Sequence, residues 1–356
     1  MVALLGPRQC GKTTMAKLFL QGVNGTYFDM EDPLVAETMS EPMSTLASLK
    51  GLVIIDEAQR NPELFPVLRV LADREASDTK FFILGSASPE LSRQASESLA
   101  GRVEIIELGG FDLSEVGYEN QQKIWERGGF PRSYLAESDE DSFEWRKQFV
   151  RTFVERDLAQ LGFGVSTVAV ARFWMMLTHY HGQNWNGNEI AASLGIATNT
   201  AFSYLNALEQ TYMVRRLMPW HVNVGKRLVK APKIYIRDTG LLHQLQNIRS
   251  SSDLMSHPKL GASWEGFVLE QIARKFSGEN LYYYRIHSGS ELDVYLPHLD
   301  LGIEIKRTDV PKITRSMRVV MEDLKLKNLW VLYPGEHFVS LDKGIEAIPL
   351  NKLHVS

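Results

Sequence analysis

The stretch Gly6-Pro7-Arg8-Gln9-Cys10-Gly11-Lys12-Thr13 decides how this chain is read. It is a complete G-x-x-x-x-G-K-T sequence, set between the apolar run Val2-Ala3-Leu4-Leu5 and a helical pattern from Thr14 to Leu20. Strand, loop and helix in that order are the setting in which a glycine-rich loop cradles phosphate. Gly6 and Gly11 let the backbone curl until its N–H groups point inward, and the helix that starts at Lys12 adds the positive end of its dipole. Gly6, Pro7, Arg8, Gln9, Cys10, Gly11, Lys12, Thr13 and Thr14 are then the binding loop. Lys12 is expected to reach the β- and γ-phosphates of ATP, and the Thr13 hydroxyl to hold Mg²⁺. A plain glycine turn joining a strand to a helix is the alternative, and a second motif answers it.

That motif is Leu52-Val53-Ile54-Ile55-Asp56-Glu57, an apolar strand ending in two carboxylates. A β-branched run of this kind reads as a buried parallel strand. At its carboxyl end Asp56 would steady the Mg²⁺, and Glu57 is placed to orient or deprotonate an attacking water. A strand-end acidic pair capping a turn at Ala58 to Arg60 is the competing reading. Strands are expected at 2–5, 26–29, 52–55, 81–84 and 103–108 with helical patterns between them, the signature of a parallel sheet covered by helices. After the fourth strand comes Gly85-Ser86-Ala87-Ser88. Ser86 is a candidate sensor between the Asp-Glu pair and the terminal phosphate, with helix capping by Ser86 or Ser88 as the alternative. Arg102, in Leu99-Ala100-Gly101-Arg102, could meet a phosphate in its own or a neighbouring subunit, the latter requiring an oligomer, or could be a surface ion-pair residue.

The chain has 356 residues, 44% hydrophobic and 23% charged, an ordinary globular composition with room for more than one core. No apolar stretch approaches the roughly 18 residues that span a bilayer. One cysteine, Cys10, excludes an internal disulfide and fits a reducing cytoplasm. The net charge of −4 is unevenly spread: residues 1–135 carry 13 Lys and Arg against 19 Asp and Glu, whereas 166–245 carry 8 against 3. The middle segment is therefore the expected electrostatic seat for DNA.

From Gly128-Gly129-Phe130-Pro131 the chain changes character. Residues 140–160 read as a packing helix, with Phe143, Phe149, Phe153 and Leu158 on one face and Arg151, Glu155, Arg156 and Asp157 on a solvated one. Residues 171–237 read as a winged helix-turn-helix: Ala171 to His181, then Asn188 to Leu194 ending at Gly195, then Thr198 to Gln210, followed by β segments at 212–218 and 233–237. The intervening loop carries Lys226, Arg227 and Lys230. The presumed recognition helix, Ala197 to Tyr204, has no Lys or Arg, so base reading would rest on Thr198, Asn199 or Ser203; a packing or protein-contact role is the alternative. Near the carboxyl end, Glu291 to Leu296 and Leu301 to Lys306 read as a hairpin. It brings Asp293 toward Glu304 and Lys306, with Glu265 supplied by the helix opening at Trp264. Carboxylates with a nearby lysine make an oxygen-ligand site for Mg²⁺ and candidate phosphodiester chemistry; a solvent-facing charged pair on an edge strand is the alternative.

With these residues in place, the chain resembles the prokaryotic AAA-type ATPases that join an amino-terminal P-loop domain to a carboxy-terminal domain of unknown function. The terminal part resembles a PD-(D/E)xK nuclease core. The resemblance rests on Gly6 to Thr13, Ile54 to Glu57, Leu84-Gly85-Ser86, Leu99 to Arg102, Gly128 to Pro131 and Glu155-Arg156-Asp157-Leu158. It continues in Pro232-Lys233-Ile234-Tyr235, Asp238 to Leu241, Trp264-Glu265, Glu291-Leu292-Asp293 and Glu304-Ile305-Lys306. It implies ATP binding with Mg²⁺, hydrolysis and a nuclease-like terminal domain. The expected fold class is α/β: a P-loop parallel-sheet ATPase domain at 1–115, a helical lid or linker at 116–165, a winged-helix-like helical region at 166–245 and a restriction-endonuclease-like α/β domain at 255–356. Members usually carry a segment ahead of the phosphate-loop strand that helps bury the adenine; here the strand starts at Val2, and weaker nucleotide affinity is expected. Two functions follow: an ATPase driving a DNA-directed module, or an ATP-dependent switch that binds a protein partner through a catalytically idle nuclease fold.

Overall fold

The carboxyl ends of three parallel strands organise the amino-terminal part of the computed structural model, which describes residues 1–74, 78–86, 98–160, 166–221 and 227–353. The chain divides into two compact units: one of Met1–Gly110, Glu155–Gly164 and Gln210–Met213, the other of Phe111–Val154, Val165–Glu209 and Val214–Ser356.

In the first unit, β1 (Val2–Gly6), β2 (Gly25–Asp29), β3 (Gly51–Asp56), β4 (Thr79–Ser86) and β5 (Glu104–Glu107) form an all-parallel sheet in the order β2-β3-β4-β1-β5. These are the five strands read from the sequence. Parallel strands need crossovers, and α1 (Lys12–Leu20) and α2 (Leu64–Ala72) are two of them. Alternation of side chains decides the packing: Val53, Ile55, Phe81 and Ile83 pack with Phe65 and Leu68 on one face, whereas Leu4, Ile54 and Leu84 pack on Ala16 of α1 on the other. Insertion of β4 between β1 and β3 places the ends of these three strands side by side, with Gly6 in register with Ser86.

The second unit holds α3 (Asp139–Thr152), α4 (Thr167–Leu177), β6 (Gln183–Asn184), α5 (Gly187–Leu194), α6 (Thr198–Gln210), β7 (Val214–Pro219) and β8 (Lys233–Ile236). It continues with α7 (Leu260–Lys275), β9 (Tyr282–Arg285), β10 (Glu291–Leu296), β11 (Leu301–Ile305), α8 (Arg315–Leu324), β12 (Asn328–Tyr333), β13 (Val339–Asp342) and β14 (Ile345–Pro349). α5 stops at Gly195, whose φ of 66° suits glycine. The strands form one mixed sheet, ordered β13-β14-β12-β11-β10-β9-β7-β8-β6.

This sheet departs from the expected separation of 166–245 and 255–356. β7 pairs antiparallel with β8 along one edge and parallel with β9 along the other, Met218 opposite Tyr282. A strand with both edges available satisfies its backbone on both. The expected lid at 116–165 is likewise shared out. Ile124 and Trp125 lie in one core with Trp264, Phe267 and Val268, and Trp125 meets Trp264 edge-on at 5.1 Å between ring centroids. Residues 155–164 belong instead to the first unit.

Candidate functional site

The loop after β1 closes on itself before α1 begins. Gly11 takes φ 107° and Gln9 φ 62°, left-handed conformations that turn the chain back. Gly6 has no room for a side chain, since a Cβ there would stand 2.0 Å from the Leu108 carbonyl oxygen. Lys12 is buried, and its ammonium donates to the carbonyls of Gly6 at 3.0 Å and Pro7 at 2.7 Å. Cys10 is buried beside the Leu108 carbonyl, 3.5 Å from Sγ, so its side chain packs inward. Thr14 is exposed on the first turn of α1.

The acids come from the neighbouring strands. Thr13 Oγ1 donates to Asp56 Oδ2 at 2.6 Å, and the Tyr27 hydroxyl donates to the same oxygen at 2.8 Å. Burial and this bond push the Tyr27 hydroxyl up, so it stays a donor. Glu57 takes φ 53°, uncommon for a residue with a side chain. The Ser86 hydroxyl stands 3.3 Å from Glu57 Oε1, and the Gln59 amide donates to the same carboxylate. Among the described residues, neither Asp56 nor Glu57 forms an ion pair with Lys or Arg. A hydroxyl and a carboxylate oxygen side by side are hard ligands of the kind Mg²⁺ takes, and a lysine and helix start beside them suit phosphate. The donor set fits Mg²⁺ and a nucleoside triphosphate.

Two residues read differently in three dimensions. Arg102 is exposed and forms a two-pronged pair with Asp73, Nε to Oδ1 at 2.6 Å and Nη2 to Oδ2 at 2.8 Å. Its carbonyl accepts from the amino group of Met1, which places it at the start of β1, the end of the sheet away from the loop. The expectation that Arg102 meets a phosphate of its own subunit is thereby corrected. Asp157, read as part of a solvated helix face, is instead buried in the first unit with Oδ1 2.5 Å from Arg8 Nη1 of the loop. The signal was there in Glu155-Arg156-Asp157, a charged group directly against the apolar Phe153 and Leu158. Ser88 lies outside the described residues.

The second constellation also assembles. Glu265 from α7, Asp293 from β10, and Glu304 and Lys306 at the end of β11 line one cleft of about 1070 Å³. β11 runs between β10 and β12, and Glu304 is buried, which removes the edge-strand alternative. Three residues that sequence reasoning did not assign to the site join it: Lys233, Glu291 and Arg285. Lys233 is 2% exposed, its Nζ 2.5 Å from Glu291 Oε1, 3.1 Å from Glu265 Oε1 and 3.6 Å from Asp293 Oδ1. Burial works against the ammonium, but Tyr235 and the carboxylates of Glu265, Asp293 and Glu291 hold it well above its ordinary value. The Tyr235 hydroxyl donates to Glu265 Oε1 at 2.5 Å. Asp293 Oδ2 accepts the Ile305 N–H at 2.8 Å, and Lys306 Nζ lies 2.5 Å from Glu304 Oε1. Burial and the nearby Asp293 charge push the Glu304 carboxyl up to about 8. Period-two alternation was the available signal, since Lys233 with Tyr235 and Glu291 with Asp293 each share a strand face.

The donor set of this second cluster does not fit Mg²⁺. An ammonium stands among the carboxylates, and among the described residues no group of three or more His, Cys, Asp or Glu is arranged to hold a metal ion. The electrostatic expectation for 166–245 changes for the same reason. Arg215 and Arg237 both pair with buried Glu270, Arg216 pairs with Glu209, and Lys233 is enclosed as described. Half of the segment's eight cations thus serve internal pairs. Arg227 and Lys230 are exposed, and Lys226 lies outside the described residues.

Comparison with known proteins bears on the amino-terminal part as a domain. Residues 1–117 match the model of an AAA domain, 118–252 a domain of unknown function (DUF8612) and 260–353 another domain of unknown function (DUF4143). The amino-terminal part is therefore an AAA-type P-loop domain, a class defined by nucleotide binding. Uncharacterised proteins of Mycobacterium tuberculosis and Mycobacterium bovis are each 51% identical over 354 residues, covering 99% of this chain and 80% of theirs. The chain belongs to the same family as these mycobacterial proteins. Among solved structures, the Thermotoga maritima RuvB Holliday junction branch migration motor is similar at 19% identity and a TM-score of 0.32, over 60% of this chain and 81% of that one. The Bacillus subtilis DNA clamp loader delta protein is similar at 12% identity and 0.27, over 59% and 83%. No helix among the described residues is long and apolar enough to cross a membrane.

Proposed function

We propose that the protein binds ATP with Mg²⁺ and hydrolyses it, and that nucleotide state governs a DNA-directed module in the second unit. The observation that carries the first half is the meeting of Thr13, Asp56, Glu57 and Ser86 at the carboxyl ends of adjacent parallel strands. Bound there, Mg²⁺ would neutralise the triphosphate, with Thr13 and Asp56 as its protein ligands. Lys12 supplies a buried positive charge to the phosphate side of the loop. Glu57 is the base that takes a proton from water, and the Ser86 hydroxyl orients that carboxylate. Asp157 positions Arg8 within the loop.

The DNA half is supported by the order α4-β6-α5-α6-β7-β8, with β8 paired antiparallel to both β6 and β7, as in a winged helix. It is also supported by the meeting of Glu265, Asp293, Glu304 and Lys306 in a nuclease-like cleft. The second reading, an ATP-dependent switch for a protein partner, is favoured by Lys233 among the carboxylates and by the absence of Lys and Arg from α6. An oligomer in which Arg102 serves a neighbour's nucleotide is compatible with either.

The test is Mg²⁺-dependent ATP turnover by the purified protein, with and without duplex DNA, beside Lys12→Ala and Glu57→Gln. Turnover that both substitutions abolish and DNA stimulates supports the first reading. Turnover indifferent to DNA moves the choice to the protein-partner switch, and absence of nucleotide binding sinks both.

A further inference from the structure

The cleft in the second unit gathers four carboxylates, Glu265, Glu291, Asp293 and Glu304, yet the positive charge at its centre belongs to the chain itself. Lys233 comes from β8, the last strand but one in the sheet order and paired on both edges, and its position is held from several sides. Its neighbours in β8 pair with β6 and β7. Its ammonium reaches three carboxylates at 2.5 to 3.6 Å, and it lies 5.6 Å from the centre of the Tyr283 ring. A side chain 2% exposed cannot swing into water to make way for another cation without opening the strand that carries it. Most of the remaining oxygens are also engaged. Asp293 Oδ2 holds the Ile305 N–H, Glu265 Oε1 accepts from Tyr235, Arg285 lies 3.5 Å from Glu291 Oε2, and Glu304 Oε1 holds Lys306. Glu304 Oε2 is buried with no hydrogen-bond partner, and the Lys233 and Tyr235 contacts of Glu265 both fall on its Oε1, but the two oxygens left over fall far short of the roughly six that Mg²⁺ or Ca²⁺ gathers.

We propose that the Lys233 ammonium is the resident cation of this cluster, so that the cleft is closed to divalent metal ions as built and is opened to them by removal of that one group. The carboxylates and Lys306 keep their places as a charge-balanced wall of the cleft, and any chemistry there proceeds without a metal.

The proposal is tested by titrating Mn²⁺ into the nucleotide-free full-length protein and following the free ion by its electron paramagnetic resonance signal. Asp293→Asn and Glu304→Gln should leave Mn²⁺ binding by the parent unchanged; loss of a bound ion in either variant overturns the proposal. Lys233→Met should gain Mn²⁺ binding at least about tenfold tighter than the parent's at this position, and Lys233→Met with Asp293→Asn should lose that gain. A folded Lys233→Met that binds no more Mn²⁺ than the parent overturns the claim that the ammonium excludes the ion. If Lys233→Met does not fold, the parent and the two carboxylate variants still decide the matter. None of these outcomes touches the ATPase reading, which rests on the first unit.

Discussion

The two acidic clusters of this protein are built from nearly the same side chains and put them to opposite uses. In the first unit the lysine and the acids are kept apart: Lys12 is held by backbone carbonyls, Asp56 by two hydroxyls and Glu57 by a serine and an amide. Among the described residues these acids have no Lys or Arg counter-charge, and they suit a cation that arrives with a ligand. In the second unit every carboxylate of the cluster faces an ammonium or guanidinium of the same chain. Neutral partners leave charge available for chemistry, whereas ionic partners consume it in holding the fold. A motif of residue types does not distinguish the two cases, because the partner is supplied by another strand.

The sharpest way to break this comparison is to remove one charge from each cluster. Glu57→Gln is expected to lower ATP turnover by about 10²- to 10⁴-fold with nucleotide still bound and to leave the urea midpoint unmoved, because no ion pair is lost. Steady-state kinetics beside an unfolding curve checks both halves. Lys233→Met should do the reverse. Turnover by the first unit persists, while the second unit loses about 3–5 kcal/mol, the cost of leaving buried carboxylates without their partner. A Lys233→Met protein as stable as the parent would mean that the cluster is not held by this ammonium.

Acidification sharpens the comparison further, since the second unit also buries neutral histidines. The tautomer of His243 is set by its neighbours. Trp125 Nε1–H donates to Ser263 Oγ, whose hydroxyl in turn faces His243 Nε2 at 2.7 Å, while His243 Nδ1 faces the Glu126 carbonyl at 3.1 Å. Burial lowers it to about 3, with Arg146 adding to the effect. The folded form thus refuses a proton that the unfolded chain accepts below about 6.5, so its contribution is whole above 6.5 and drains away as pH falls toward 3. Glu304 pulls the other way: raised to about 8, it gains stability as pH falls from 8 toward its unfolded value. Comparing parent with His243→Gln isolates the histidine. Between pH 7.5 and pH 5 the parent should lose about 2 kcal/mol relative to the variant in urea unfolding, and parallel curves would refute the burial argument.

The smallest effect is expected at Arg102→Ala. Its partner Asp73 is as exposed as itself, so the unfolding midpoint of the first unit should not move measurably. A clear destabilisation would show the pair to be structural. A fall in turnover that deepens with protein concentration would instead place Arg102 at a neighbour's nucleotide.

Much of this was legible in the chain. Gly6 to Thr13 and Leu52 to Glu57 declare themselves because their function rests on local backbone shape: a glycine turn, a helix start and a strand end are all short-range properties. Three of the parallel strands, β1, β3 and β4, were legible for the same reason, each being an apolar run buried along most of its length; β2 is half-buried and β5 exposed, and they were read from their alternation with helical patterns. Other features were hidden by distance. Asp157 reaches Arg8 across 149 positions of sequence, and Tyr27 reaches Asp56 from a separate strand. Whether Lys233 points at solvent or at carboxylates is decided by β7 taking β9 as its second partner. The charge count over 166–245 was blind in the same way, since it could not see that Glu270 of α7 takes both Arg215 and Arg237. Burial pushes the Glu270 carboxyl up, but Arg215 and Arg237 outweigh it and hold it lowered to about 2.

The sequence by itself determined the phosphate loop, the acidic strand end behind it and the parallel sheet that carries them, because backbone geometry and side-chain alternation are encoded within a few residues of one another. The tertiary structure alone decided which charges remain available. An ion pair depends on which strand lies beside which, and in this protein strand order, not residue type, separates an acidic pair with no Lys or Arg partner among the described residues from a cluster of four carboxylates already paired with cations.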